Sequence, residues 1–163
     1  MMQFQAMIEW QISQLEKGSP LLENMLMGMP SKNMQIFADG GKGWTVAEVL
    51  CHMRDFEAVF LERAKMTVND DNPELPFPDP AELAREKKYN RADPRKVLSE
   101  WQTIRAEHIK FLQARDEDDW ALPAQHPTRG NFTLGDQLFL TVWHDTNHME
   151  QIARILADEQ YAG

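Results

Sequence analysis

The sequence is short of cysteine, of positive charge and of long apolar runs, and each shortage excludes something. Cys51 is the only cysteine, so no disulfide can close within the chain, and a reduced, cytoplasmic setting is expected. Lysine and arginine number 17 against 26 acids, a net charge of −9, with no basic cluster on one face. Such a surface repels a phosphate backbone, so no nucleic-acid partner is expected. No apolar stretch approaches the roughly 20 residues that a membrane helix needs. The start, MMQFQAMIEW, lacks the basic opening and unbroken apolar run of a secretory signal. Strand signals are scarce as well, because alternating runs rich in Val, Ile and Thr do not occur.

Helical periodicity fills the space. Phe4, Ile8, Ile12 and Leu15 recur at helical spacing up to Lys17-Gly18. Ser19-Pro20 then reads as a cap with proline in the first turn, opening either a short second helix or the far half of a kinked one. ADGGKG, residues 38–43, reads as a flexible link. Thr45-Val-Ala-Glu48 is a capping box, and the helix behind it should reach about Met66. Four prolines in residues 69–80 stop that helix and predict a long surface loop. Asp79-Pro80 starts a short helix through Lys88, and Asp93-Pro94 starts a longer one. Thr133-Leu-Gly-Asp136 is a weaker capping box before the last helix. The length suits one domain, residues 1–163. Long amphipathic helices with substantial connections make it all-α, most simply a four-helix bundle with short extra helices and a Pro-rich loop.

Bundles build their sites from side chains that project inward from facing helices. His144 and His148, in WHDTNHMEQI, stand four apart and so share a helix face. Two imidazoles placed in this way can grip one ion. The residues between them are Asp145, Thr146 and Asn147, which lack the glutamate of the HExxH metalloproteases. His52 lies on the apolar face of another helix, between Val49 and Phe56. Two readings compete for it: a core histidine bonded to a carbonyl or carboxylate, or the third ligand of a shared metal. Glu48, one turn earlier, suits either as a partner. His108 is a rival ligand of lower rank and reads first as a packed or surface-leaning histidine, and His126 reads as a turn residue, with lining the mouth of a site as the alternative. Cys51 points away from His52 and reads as packing, as do the ten scattered methionines. The run LFLTVW, ending at Trp143, is apolar all round, which predicts burial of that stretch, in part against a second subunit.

GWTVAEVLCHMRDFEAVFLERA, followed after a Pro-rich loop by HPTRGNFTLGDQLFLTVWHDTNHMEQIARIL, resembles the DinB-like superfamily, which takes in YfiT-type metal-dependent hydrolases and bacillithiol S-transferases. The match covers about residues 44–156, with Trp44 and Thr45 at the cap, His52 as first ligand and His144 and His148 as the pair. The resemblance implies an up-down-down-up four-helix bundle, often dimeric, with a divalent metal, zinc or nickel, in a pocket. It also implies group transfer through low-molecular-weight thiols, or hydrolysis, on small molecules. In such a site Glu48, Glu57 and Asp145 are the candidates for orienting ligands or moving a proton. A non-catalytic protein of the same fold that binds metal or a small molecule is the alternative.

Overall fold

Six α-helices carry the fold in the computed structural model, which describes residues 2–161. They are α1 (Met2–Met25), α2 (Ser31–Met34), α3 (Val46–Asn69), α4 (Pro80–Glu86), α5 (Pro94–Gln113) and α6 (Leu134–Tyr161). A two-stranded hairpin, β1 (Gln125–His126) and β2 (Gly130–Asn131), precedes α6.

The helix starts are set by local chemistry. Thr45 Oγ1 accepts from the Glu48 amide at 3.3 Å, and Glu48 Oε2 accepts from the Thr45 amide at 2.8 Å. Both halves of a capping box are therefore made, satisfying two donors that the helix cannot. Thr133 and Asp136 do the same for α6, at 3.2 and 2.9 Å. Asp79 and Asp93 cap α4 and α5 with proline in the first turn. α4 ends at Glu86, short of the expected Lys88, which takes a left-handed φ of 52°. α3 runs three residues past Met66 to Asn69.

Cross-helix contacts give the directions. Arg54 meets Glu100 and Lys65 meets Glu107, so α3 and α5 run parallel. His52 meets His144 and Thr67 meets Gln137, so α3 and α6 run antiparallel. Glu16 meets Gln113 and Glu23 meets Gln102, so α1 opposes α5. Gly18 lies against Met149 and Phe4 against Gly135, so α1 and α6 run parallel. In chain order the long helices go up, down, down, up: a four-helix bundle, as expected.

Of the two readings of Ser19-Pro20, the structure takes the continuous one: α1 runs through Pro20 as one helix. Leu15 and Leu22 are buried on its inner face, with Leu26 buried just past its end, and that burial holds the helix across a proline that removes one backbone donor. Gly18 serves a close approach instead: a Cβ there would stand 3.1 Å from Met149 Cε and 3.4 Å from Arg105 and Asp145. Within the single chain LFLTVW is buried only in part: Leu138 and Thr141 lie inside, and Trp143 is 61% exposed on the outward face of α6.

The core has two apolar clusters, one around Leu22, Val49, Met53, Trp101 and Ile152, the other around Ile8, Leu15, Leu112 and Leu138. Arg105 lies between them along α5. Its guanidinium binds Glu57 of α3 (Nη2–Oε2, 2.6 Å) and Asp145 of α6 (Nη1–Oδ2, 2.5 Å), and donates to Leu15 O of α1. One buried cation thus ties all four long helices. His108 donates from Nδ1 to Glu57 Oε1 at 2.7 Å, because a carboxylate only accepts.

Candidate metal centre

His52 on α3 faces His144 and His148 on α6. The Nε2 atoms of His52 and His144 stand 2.9 Å apart, and one nitrogen from each ring lies within 4.8 Å of the other two. Two nitrogens bound to one tetrahedral zinc at about 2.0–2.1 Å stand roughly 3.4 Å apart, so small ring shifts suffice to seat an ion. Aromatic rings wall the cluster. Trp44 lies 5.2 Å and Phe56 4.4 Å from the His52 ring, Phe56 stacks on His144 at 5.7 Å, and Phe60 meets His144 edge-on at 5.1 Å.

All three imidazoles are held neutral. Burial pushes His52 down to about 3, with the neighbouring His148 adding to the effect. Burial likewise holds His144 well below its ordinary value, with His148 and His52 adding to it. His148 is lowered by burial against an opposing hydrogen bond from Gln151. Neutral rings keep a lone pair for a metal.

The tautomer of His148 follows from its neighbours. Gln151 Nε2 donates to Asp39 Oδ2 at 3.0 Å, and a carboxylate can only accept. The amide oxygen of Gln151 must then face His148 Nδ1, 2.9 Å away. An oxygen there accepts a hydrogen bond from Nδ1–H, which leaves the lone pair on Nε2. Arg154 holds Asp39 in turn, from Nε at 3.1 Å and Nη2 at 2.9 Å. His52 Nδ1 is buried without a partner.

The donor set fits a borderline divalent ion. Three neutral imidazole nitrogens converge, with the His148 lone pair fixed on Nε2, and imidazole suits zinc, copper, iron and nickel. Among the described residues no carboxylate joins the cluster. Glu48 is spent on the cap of α3, and Glu57 and Asp145 on Arg105. His108 lies with Glu57, and His126 sits at the hairpin between the rings of Phe77 and Phe132. The Cys51 thiol is buried and pushed up to about 11, mainly by that burial, which suits packing and not nucleophilic work. Sequence reading missed Gln151, Asp39 and Arg154. Gln151 was within reach, three residues after His148 on the same helix face. Asp39 was not, because it lies in the stretch that reads as a flexible link.

The DinB superfamily model matches residues 14–152. The chain belongs to the DinB superfamily. Two curated members of known sequence resemble it. OB0782 of Oceanobacillus iheyensis, provisionally named a metal-dependent hydrolase, is 25% identical over 148 residues, 90% of this chain and 84% of that protein. YfiT of Bacillus subtilis, named in the same way, is 27% identical over 120 residues, 73% of this chain and 66% of that protein. The solved YfiT structure superposes with a TM-score of 0.85 at 24% identity, covering 94% of this chain and 88% of that one. It is described as an unusual four-helix bundle. A mycothiol-dependent maleylpyruvate isomerase superposes at 0.74 with 12% identity, covering 89% of this chain and 60% of that one. These two superpositions show the shared DinB fold. No helix among the described residues is long and apolar enough to cross a membrane.

Proposed function

We propose that this DinB-superfamily chain is a divalent-metal-dependent enzyme acting on small molecules, a thiol S-transferase or a hydrolase, with His52, His144 and His148 as the protein ligands. The observation that carries this reading is the convergence of three neutral imidazoles from two helices, one of them with its tautomer set by Gln151. An all-imidazole set favours zinc or nickel over magnesium or calcium, which prefer oxygen. When bound, such an ion supplies Lewis acidity that makes a thiol or a water nucleophilic near neutral pH.

The chain's own residues do the rest. Three histidines leave an open coordination position, the pattern of catalytic sites and not of closed structural ones. Gln151 and Asp39 aim the His148 ring. Trp44, Phe56 and Phe60 exclude water from one side, which strengthens polar interactions inside. Glu57 and Asp145 act as positioning residues: through Arg105 they lock α3 to α6 close to the ligands. The thiol branch draws support from the mycothiol-dependent isomerase of the same fold, and the hydrolase branch from the names of the relatives.

Elemental analysis of untagged protein tests the reading, beside His52→Ala and His148→Ala. Near-stoichiometric metal in the wild type, lost in both variants, supports it and opens a screen of thiols against electrophiles. A wild type that takes up no zinc, nickel or manganese overturns it. Metal held without turnover of any thiol or ester leaves a binding protein instead.

A further inference from the structure

A second group of polar atoms lies one phenyl ring away from the histidines. Phe60 touches His144 on one side, and the Arg63 guanidinium carbon lies 5.7 Å from the same ring. Arg63 is 2% exposed, against 1% for Arg105. The two buried arginines are treated differently. Arg105 has two carboxylates on its fork. The Arg63 guanidinium makes one hydrogen bond among the described residues, from Nε to Pro76 O at 2.8 Å, and its Nη2 is buried with no acceptor. A buried cation without a hydrogen-bonded counter-charge is costly and calls for an explanation. Among the described residues no carboxylate is hydrogen-bonded to it; Glu62, next to it in sequence, offsets the burial only through its charge. Arg129 closes the turn that carries His126, its amide donating to His126 O at 3.2 Å, and its positive charge also acts on Arg63.

His126 repeats the pattern. It is 3% exposed, and its Nδ1 accepts from the Thr128 amide at 3.3 Å. A backbone amide only donates, so the proton of the neutral ring sits on Nε2. That Nε2 is also buried without a partner. Arg63 and His126 flank one ring, Phe77, at 5.7 and 5.1 Å. Both orphans are donors, and both want an acceptor. The loops that bring them together are tied to each other: Leu75 N donates to Gln125 O, and Gln125 N to Pro73 O, each at 2.8 Å.

We propose that Arg63, His126 and Arg129 form an anion subsite, and that it takes the carboxylate of a ligand whose apolar body lies against Phe60 and Phe77. A planar carboxylate matches the end of a guanidinium fork and needs few further donors. A phosphate has three oxygens to satisfy, and only two unpartnered buried donors are offered here. Arg63 and His52 share a face of α3 eleven residues apart, about 16 Å at the backbone. The inference rests on the proposed function for its meaning: the substrate class becomes small molecules, thiols among them, with a carboxylate remote from the reacting group.

The first test needs no metal. Chelator-stripped, nitrogen-15-labelled protein is titrated with hexanoate, hexanol and inorganic phosphate while the Arg63 Nε–H signal, identified through Arg63→Lys, is followed by NMR. Hexanoate should shift that signal saturably and hexanol should not, and the exposed Arg129→Gln should weaken hexanoate by about threefold to tenfold. No saturable shift with hexanoate, or tighter binding of phosphate, overturns the proposal. If Arg63→Lys fails to fold, the wild-type comparison of hexanoate with hexanol and the Arg129→Gln variant still decide. Cobalt-loaded protein then separates the two readings. Thiolate absorption that appears with 6-mercaptohexanoate at about tenfold lower concentration than with 6-mercaptohexanol supports the subsite. Equal concentrations overturn it and leave the metal site standing. No absorption with either thiol counts against the metal reading alone, and the metal-free titration then decides the subsite by itself.

Discussion

The amide oxygen of Gln151 stands 2.9 Å from Nδ1 of His148, one helical turn behind it, and this contact fixes which nitrogen of the histidine can bind a metal. Replacing Gln151 with Leu removes the acceptor and frees the ring to change tautomer. Metal affinity should fall by about 10–100-fold, with the fold unchanged, as read by competition with a chelator. Asp39→Asn should cost less, since it loosens Gln151 without deleting it. If both variants hold metal as tightly as the wild type, the chain from Arg154 to His148 has no part in binding.

Arg105 offers the largest stability effect. Arg105→Met leaves Glu57 and Asp145 buried without their cation, which should cost about 3–5 kcal/mol in urea unfolding at pH 7. A loss under about 1 kcal/mol would show that the network is dispensable.

The pH dependence of that variant should turn on Glu57, since Asp145 is already raised by burial with Arg105 in place. Burial alone would raise the Glu57 carboxyl, but the Arg105 charge overcomes it, with His108 adding, and holds it below the usual carboxylate range. A depressed acid stabilises the fold above its unfolded value, near 4, and that stability is lost as pH falls. Without Arg105, burial lifts the carboxyls, the folded state binds more protons than the unfolded one, and stability should rise from pH 7 to pH 5. Urea midpoints at the two pH values give the sign directly.

Pro20 should be replaceable at a gain. It is exposed, inside α1, and denies the helix one backbone hydrogen bond. Pro20→Ala should stabilise by about 1–2 kcal/mol, less than the full helix penalty because proline also restricts the unfolded chain. The urea midpoint should rise at constant slope. A lower midpoint would mean that the proline sets the path of α1 over α6.

The capping boxes at Thr45 and Thr133, the two Asp-Pro helix starts and the histidine face of α6 were legible, because each depends on residues within one or two turns of each other. The up-down-down-up order came through resemblance, since periodicity alone does not say which way a helix runs. Two positions needed the fold to decide them. Gly18-Ser19-Pro20 has the local grammar of a new start or a kink, and apolar burial on both sides carries one helix through. LFLTVW has the composition of a buried run, and within the single chain only its inner face is covered, which leaves Trp143 exposed.

By itself the chain therefore determined its helices, their caps and three histidines able to serve one ion, since local hydrogen bonding and side-chain period act over a few residues. Only the tertiary structure decided that Asp39, 112 residues from Gln151, would complete the support of His148. It alone decided that Arg105 would be neutralised while Arg63 would not. Such pairings turn on which side chains meet across helices and loops, and a buried charge finds its partner, or lacks one, only when the bundle closes.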